Sequence, residues 1–249
     1  MEPEINEEIL NQMLLEFAAR EDSYHKVIPR VYHASSVFSC YRKNFYKQTG
    51  VAATNPMPLG VFERGRRVED ALHESVVHKF GARNVIRGVG ISHGHDGWRR
   101  TGKTDTLISV EGNPHTLIEW KSTEELRSGP FTPFKSYLGQ LGFYASHLWA
   151  RGLKHAWIAQ ASSTNLAIRA KEMTEAESSY WDFEGEKFFA DLDAIIQVNM
   201  LPPAKPFNDW ECENKNGACQ FLDRCRADGG WKKVEFGGDV EWIRSGDGR

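Results

Sequence analysis

The chain has 249 residues, of which 40% are hydrophobic, 26% charged and 12% aromatic, with a formal net charge of −3. That length and apolar content suit one globular domain with a small C-terminal subdomain, and they exclude wholesale disorder. No stretch approaches the roughly 20 apolar residues of a membrane span, and the acidic opening MEPEINEEIL lacks the basic and apolar regions of a signal peptide. A cytoplasmic location without a membrane partner is the expectation, and there cysteines serve metal binding or catalysis better than disulfides.

In chain order, residues 5–20 predict an amphipathic helix with its stripe at Ile9, Leu10, Met13, Leu14 and Phe17. Ser35 or Ser36 is placed to cap a second short helix carrying Cys40, Phe45 and Tyr46. A longer helix is expected over 61–80, with Val61, Val68, Leu72, Val76 and Phe80 on one side. Strands are expected near 84–92, 99–110 and 115–123, the last two joined at Gly112-Asn113-Pro114. A helix over 134–150, strands near 155–162 and 165–172, and a helix over 175–199 follow, until Leu201-Pro202-Pro203 breaks the pattern. The order predicts an α/β sandwich over 1–203. The remainder, 204–249, is poor in core residues and would gain most from a metal staple.

The chemistry concentrates in the 99–123 hairpin. Asp105 and Glu119 are equidistant from Gly112, so pairing about that residue sets them opposite each other, with Cβ atoms about 5 Å apart. Two carboxylates so close repel unless a divalent cation lies between them. Alternation puts Lys121 on the face of Glu119 and sends Trp120 to the other. Hard oxygen ligands suit Mg²⁺ or Mn²⁺ and leave room for water and a phosphate oxygen. Such a set can cleave a phosphodiester without a nucleophilic side chain, with Lys121 orienting water, helping to deprotonate it, or stabilising the phosphorane. Glu69 and His73, four apart on the preceding helix, are rival further ligands, and Gln140 and Tyr144 share a face one helix later. DNA binding does not need a basic protein, only a local stripe. Three basic clusters exist, and Arg42, Arg66 and Lys103, one from each, are the candidate nucleic-acid contacts.

Cys212, Cys219 and Cys225 form a compact group, and Cys40 is the remaining cysteine that could complete four thiolates. Four thiolates suit Zn²⁺ or a 4Fe–4S cluster, and the paired knuckles usual for zinc are absent. Either centre would tie the tail back to the body of the chain.

These residues together resemble the RecB-like PD-(D/E)XK exonucleases with an iron–sulphur clasp, including CRISPR-associated RecB-family exonucleases and the AddB nuclease domain. The likeness runs from Ser36-x3-Cys40-x-Arg42 through Gly65-x3-Glu69, Gly102-Lys103-Thr104-Asp105, Glu119-Trp120-Lys121 and Gln140-x3-Tyr144 to Cys225. It implies a restriction-endonuclease-like mixed sheet flanked by helices, closed by an Fe–S-stapled C-terminal segment. It also implies a Mg²⁺- or Mn²⁺-dependent DNA exonuclease with Asp105, Glu119 and the Trp120 carbonyl as metal ligands and Lys121 as catalytic lysine. A 4Fe–4S cluster on the four cysteines, with Zn²⁺ as the alternative, belongs to the same implication, as do a CRISPR integrase or recombination proteins as partners. The CRISPR-associated members usually carry histidine where Glu69 stands, and space their C-terminal cysteines more tightly. A DNA-end-binding subunit or zinc-stapled scaffold with a vestigial nuclease site is the alternative reading.

Overall fold

The computed structural model describes residues 27–55, 59–126, 128–204, 206, 211–214, 217–229, 231–236 and 239–244; the helix expected over 5–20 lies outside them. The elements run β1 (Val31–His33), a single 3₁₀ turn (Ala34–Ser36), α1 (Tyr41–Gln48), α2 (Leu59–Phe80), β2 (Val85–Ile86), β3 (Gly90–His95), β4 (Trp98–Lys103), β5 (Thr106–Val110) and β6 (Asn113–Thr123). There follow α3 (Lys135–Trp149), β7 (His155–Ser162), β8 (Ile168–Met173), α4 (Glu175–Gln197), β9 (Glu213–Asn214), β10 (Gly217–Ala218), α5 (Leu222–Ala227), β11 (Trp231–Phe236) and β12 (Asp239–Arg244). This is a mixed α/β fold with two mixed sheets flanked by helices.

The larger sheet has the order β2-β5-β6-β7-β8, with β6 and β7 parallel and the other pairs antiparallel. Parallel neighbours require a crossover, and α3 supplies it. The alternation along β6 sorts the two faces. Leu117 packs with Leu141, Tyr144, Ala145, Leu148 and Ile158 on the side of α3. Trp120 and Ile118 pack with Val68, Leu72 and Ala159 on the side of α2. Helix α4 covers α3 from outside, so α3 is buried almost all round, which explains its run of buried residues from Leu138 to Ala145. The start of α4 is fixed by a capping box: Thr174 Oγ1 accepts from Glu177 N (3.2 Å), while Glu177 Oε2 accepts from Thr174 N (2.9 Å).

A smaller sheet, β1-β4-β3, joins β1 parallel and β3 antiparallel to β4. It packs on α4 through Tyr32, Phe188, Phe189 and Leu192. Arg30 and the Tyr32 hydroxyl both bond Asp193, at 2.7 Å for each shortest contact. Among the described residues no helix is long and apolar enough to cross a membrane.

Two expectations change here. The strand expected over 99–110 is two strands in two sheets, and the chain crosses between them at Thr104 and Asp105. Thr104 still pairs with the 88–89 segment (Thr104 N to Val89 O, 3.0 Å; Gly88 N to Thr104 O, 2.9 Å), so its carbonyl is used on that side. The strand expected over 84–92 likewise divides into β2 and β3, one in each sheet.

The turn between β5 and β6 is Glu111-Gly112, both with positive φ (53° and 81°), a type I′ hairpin whose twist matches its strands. Next to it the register shifts: Ser109 faces Pro114 but Ile108 faces Thr116, leaving His115 as a bulge. That extra residue restores symmetry about Gly112. Thr106 faces Ile118, which places Asp105 one step on, level with Glu119.

Candidate active site

Asp105 stands just before β5, and Glu119 and Lys121 stand on β6. Asp105 Oδ2 accepts the Trp120 backbone N–H at 2.8 Å, so a side-chain oxygen takes the place of a ladder carbonyl where the strand has been interrupted. Lys121 Nζ donates to Glu119 Oε1 at 2.7 Å and to Gln140 Oε1 at 3.1 Å, and lies over the Tyr137 ring at 5.0 Å. Gln140 Nε2 donates to the Tyr144 hydroxyl at 3.3 Å, one helical turn along α3. The pattern of β6 thus turns Glu119 and Lys121 to α3, and the indole of Trp120 to the core under α2. There Trp120 Nε1 donates to Thr106 Oγ1 (3.0 Å).

The electrostatics of this group are unbalanced. Glu119 has no exposed surface, its Oε2 has no hydrogen-bond partner, and burial pushes its carboxyl up to about 8 against the pull of Lys121, with Asp105 and Glu69 adding to the rise. Glu69, from α2, is raised to about 7 by burial and then by Asp105, against Lys121 and Arg87. Asp105 is raised by burial, offset by Lys121, by the Trp120 N–H and by the adjoining Glu119 carboxyl, with which it can share a proton. Burial alone would lower the Lys121 ammonium, but Glu119 and Asp105 outweigh it and hold it charged. Three carboxylates therefore share one low-dielectric region with one lysine. A buried carboxylate oxygen without a donor is costly, about 1–3 kcal/mol, and either a shared proton or a cation relieves it. The donor set is all oxygen and fits a hard divalent ion.

His73 is not part of this group. Its Nδ1 pairs with Thr106 Oγ1 (3.0 Å) on the Trp120 side, and burial lowers it, with Arg87 adding and Asp70 and Glu74 opposing, without a contribution from Asp105 or Glu119. Of the two rival helical ligands, Glu69 alone feels the carboxylates. Its approach depends on Gly65, where a Cβ would sit 3.0 Å from Ser122 Oγ of β6. Gly102 plays the same part for Tyr144: a Cβ there would come within 2.6 Å of Tyr144 Cε1. Tyr137 was missed in the sequence although it lies one turn before Gln140; helical spacing alone would have placed it beside the lysine. An apolar groove of about 540 Å³, lined by Phe80, Ile108, Val110, Ile118, Trp157 and Ile168, opens on the α2 face of the sheet, away from Lys121.

The four cysteines are free thiols. Cys40 precedes α1 and its side chain makes no cap hydrogen bond; burial pushes it up to about 11, the nearby Lys43 and Arg42 backbone N–H groups opposing and Glu211 and Cys225 adding. Burial pushes Cys212 up to about 12, and Cys40, Cys219 and Cys225 add to the rise. Burial also raises Cys225, against Arg42. The segment is held in place by Cys219 N to Cys212 O (2.7 Å), Thr54 N to Gln220 O (2.7 Å), and Tyr46 Oη to Asp228 Oδ2 (2.7 Å). Glu211, also unforeseen, accepts the Cys40 N–H at 3.2 Å. Four neighbouring thiols, Cys40 buried and the other three half-buried, are a donor set for a thiophilic centre, which would take them as thiolates. Among the described residues, no three His, Cys, Asp or Glu side chains are gathered tightly enough to hold a metal ion as they stand.

The expected nucleic-acid contacts separate. Arg42 is a correction: it is 7% exposed, and its guanidinium donates to Pro202 O (2.8 Å), Asp228 O (3.1 Å) and Cys225 O (3.4 Å). It straps the C-terminal segment to α1 and is not on the surface. Arg66 is exposed and paired with Glu63 at 3.0 Å. Lys103 is exposed at the end of β4.

No protein-family model matches the chain, and no curated protein matches it. The solved crystal structure of SSO0001 is similar in fold, with a TM-score of 0.55 and 18% sequence identity over 87% of this chain and 96% of that one.

Proposed function

We propose that this chain is a Mg²⁺- or Mn²⁺-dependent deoxyribonuclease of restriction-endonuclease-like architecture, acting on DNA ends or single strands. The observation that carries the reading is the buried, unpartnered Glu119 Oε2 in a group of three carboxylates with a lysine at 2.7 Å. Asp105, Glu119, Glu69 and the Trp120 carbonyl would hold the cation, which supplies screening of negative charge at phosphorus and a lowered pKa for an attacking water. The chain's own groups do the rest. Lys121, kept charged by its carboxylate neighbours, donates a hydrogen bond to a phosphate oxygen or to the water and stabilises charge as it grows; a charged ammonium is not a base, so water deprotonation falls to another group. Gln140 fixes the direction of Lys121, and the Gln140–Tyr144 pair offers an amide and a phenol beside the phosphate position. Burial under α3 excludes bulk water and strengthens each of these contacts.

The four cysteines are read as ligands of a 4Fe–4S cluster with a structural role, the Arg42 cation beside Cys225 offsetting its negative charge. The test is end-labelled DNA incubated with and without Mn²⁺. Wild-type protein degrades it only with the ion, and Asp105→Ala and Lys121→Ala do not. Undiminished degradation by both folded variants overturns the assignment, and binding without turnover favours an end-holding subunit instead. For the cluster, protein purified without oxygen should absorb broadly at about 400 nm; a colourless sample with stoichiometric zinc contradicts it.

A further inference from the structure

A second group of donors lies away from the carboxylates. His93 and His95 are two apart on β3 and share a face of the smaller sheet, and His147 of α3 meets His93. The ring centroids are 4.7 Å apart for His93 and His95, and 4.9 Å for His93 and His147. Two imidazoles on one ion, with metal–nitrogen bonds of about 2.0–2.1 Å and a tetrahedral angle, have centroids about 5 Å apart.

The hydrogen bonds around these rings are those of ligating histidines. His95 Nδ1 meets Glu186 Oε1 at 3.1 Å, and His147 Nδ1 meets the Phe143 carbonyl at 2.8 Å. A carbonyl or carboxylate oxygen can only accept, so both rings place a proton on Nδ1, which leaves Nε2 as the ring nitrogen available to a cation; Ser146 Oγ also lies 3.1 Å from His147 Nδ1. Outer partners of this kind orient and polarise metal-bound imidazole. His95 Nε2 is buried and has no partner. Packing explains part of the arrangement: His95 stacks on Trp98 at 4.0 Å, and His147 meets Phe143 edge-on at 4.9 Å. Packing does not explain a buried lone pair aimed at no donor. The nearby Arg100 would repel a cation but is paired with Asp182 at 2.6 Å.

We propose that His93, His95 and His147 form a site for a borderline divalent cation of the Zn²⁺, Co²⁺ or Ni²⁺ class, oriented by Glu186 and the Phe143 carbonyl. His93 is exposed on its strand, so its ring is the one free to turn and close the site on an ion. Bound there, an ion links the smaller sheet to α3. All three nitrogen donors suit such ions over Mg²⁺ or Ca²⁺.

The experiment is a Co²⁺ titration of the full chain in excess Mg²⁺, which occupies oxygen sites and leaves imidazole free. Visible ligand-field absorption counts the ion, and near-ultraviolet thiolate charge transfer reveals any bound by cysteine. Wild-type protein should take up an ion without thiolate charge transfer. His93→Gln should weaken it on the order of a hundredfold and Glu186→Gln about tenfold. His93 is exposed, so its variant is expected to keep the fold, which circular dichroism checks. Titrations that superimpose for wild type and His93→Gln, or cobalt bound with thiolate charge transfer alone, overturn the proposal. DNA degradation is not a readout here, so the result is independent of the nuclease assignment.

Discussion

Replacing Glu119 by Gln separates the cost of the buried carboxylate from its use. The amide keeps the shape of the side chain, can accept from Lys121 as Glu119 Oε1 does at 2.7 Å, and adds a donor where Oε2 has none. In wild-type protein without divalent ions, the folded state holds this carboxyl near 8, against 4.5 ordinarily. A raised carboxyl pKa means that stability is full below about 4.5 and is lost as the pH rises towards about 8, because the unfolded chain ionises first. The whole loss is on the order of 3–5 kcal/mol. For a chain of this size each kcal/mol moves Tm by about 2–4 °C. Thermal unfolding without added divalent ions should therefore show Glu119→Gln close to wild type at pH 5 and about 10 °C above it at pH 8. Mn²⁺ should narrow that gap by stabilising wild type and not the variant. Parallel curves for the two proteins across pH 5–8 would refute the reasoning.

Gly102→Ala should force Tyr144 from its place and cost about 1–3 kcal/mol by overpacking, with DNA degradation reduced; a variant with unchanged Tm and rate contradicts the close approach. Arg42→Ala leaves buried carbonyls without a donor, at about 1–3 kcal/mol for each. Limited proteolysis should then cut the C-terminal segment faster while DNA binding holds, whereas a loss of DNA binding with unchanged proteolysis would return Arg42 to the surface. Glu69→Gln should reduce Mn²⁺ affinity more than His73→Gln, measured by calorimetry, because only Glu69 is coupled to Asp105.

The parts of the fold that were legible in the sequence are those set by local periodicity. The strand expected at 155–162 and the helices expected over 61–80 and 134–150 agree with β7, α2 and α3 to within two residues, because local pattern suffices to bound a run that stays within one element. The level placement of Asp105 and Glu119 was also legible, since a two-residue turn and one bulge together restore the symmetry about Gly112. What local pattern could not show was the transfer of the chain between sheets at Thr104 and Asp105. That break depends on which distant segment, 88–89 or β6, claims each backbone group. Arg42 was misplaced for a related reason. Next to Lys43 it reads as a surface cation, and only the return of Pro202, Cys225 and Asp228 to α1 buries it. The convergence of His93, His95 and His147 likewise needs α3 to cross the smaller sheet.

Calorimetric titration of Mn²⁺ at pH 7, in two buffers of different ionisation enthalpy, measures protons released with the ion. With Glu119 held near 8 and Glu69 near 7, the carboxylate centre should give up about one proton per ion bound, and Asp105→Asn should lose the binding. Uptake of Mn²⁺ without proton release, or equal binding by Asp105→Asn, would place the ion elsewhere and remove the basis for the nuclease reading.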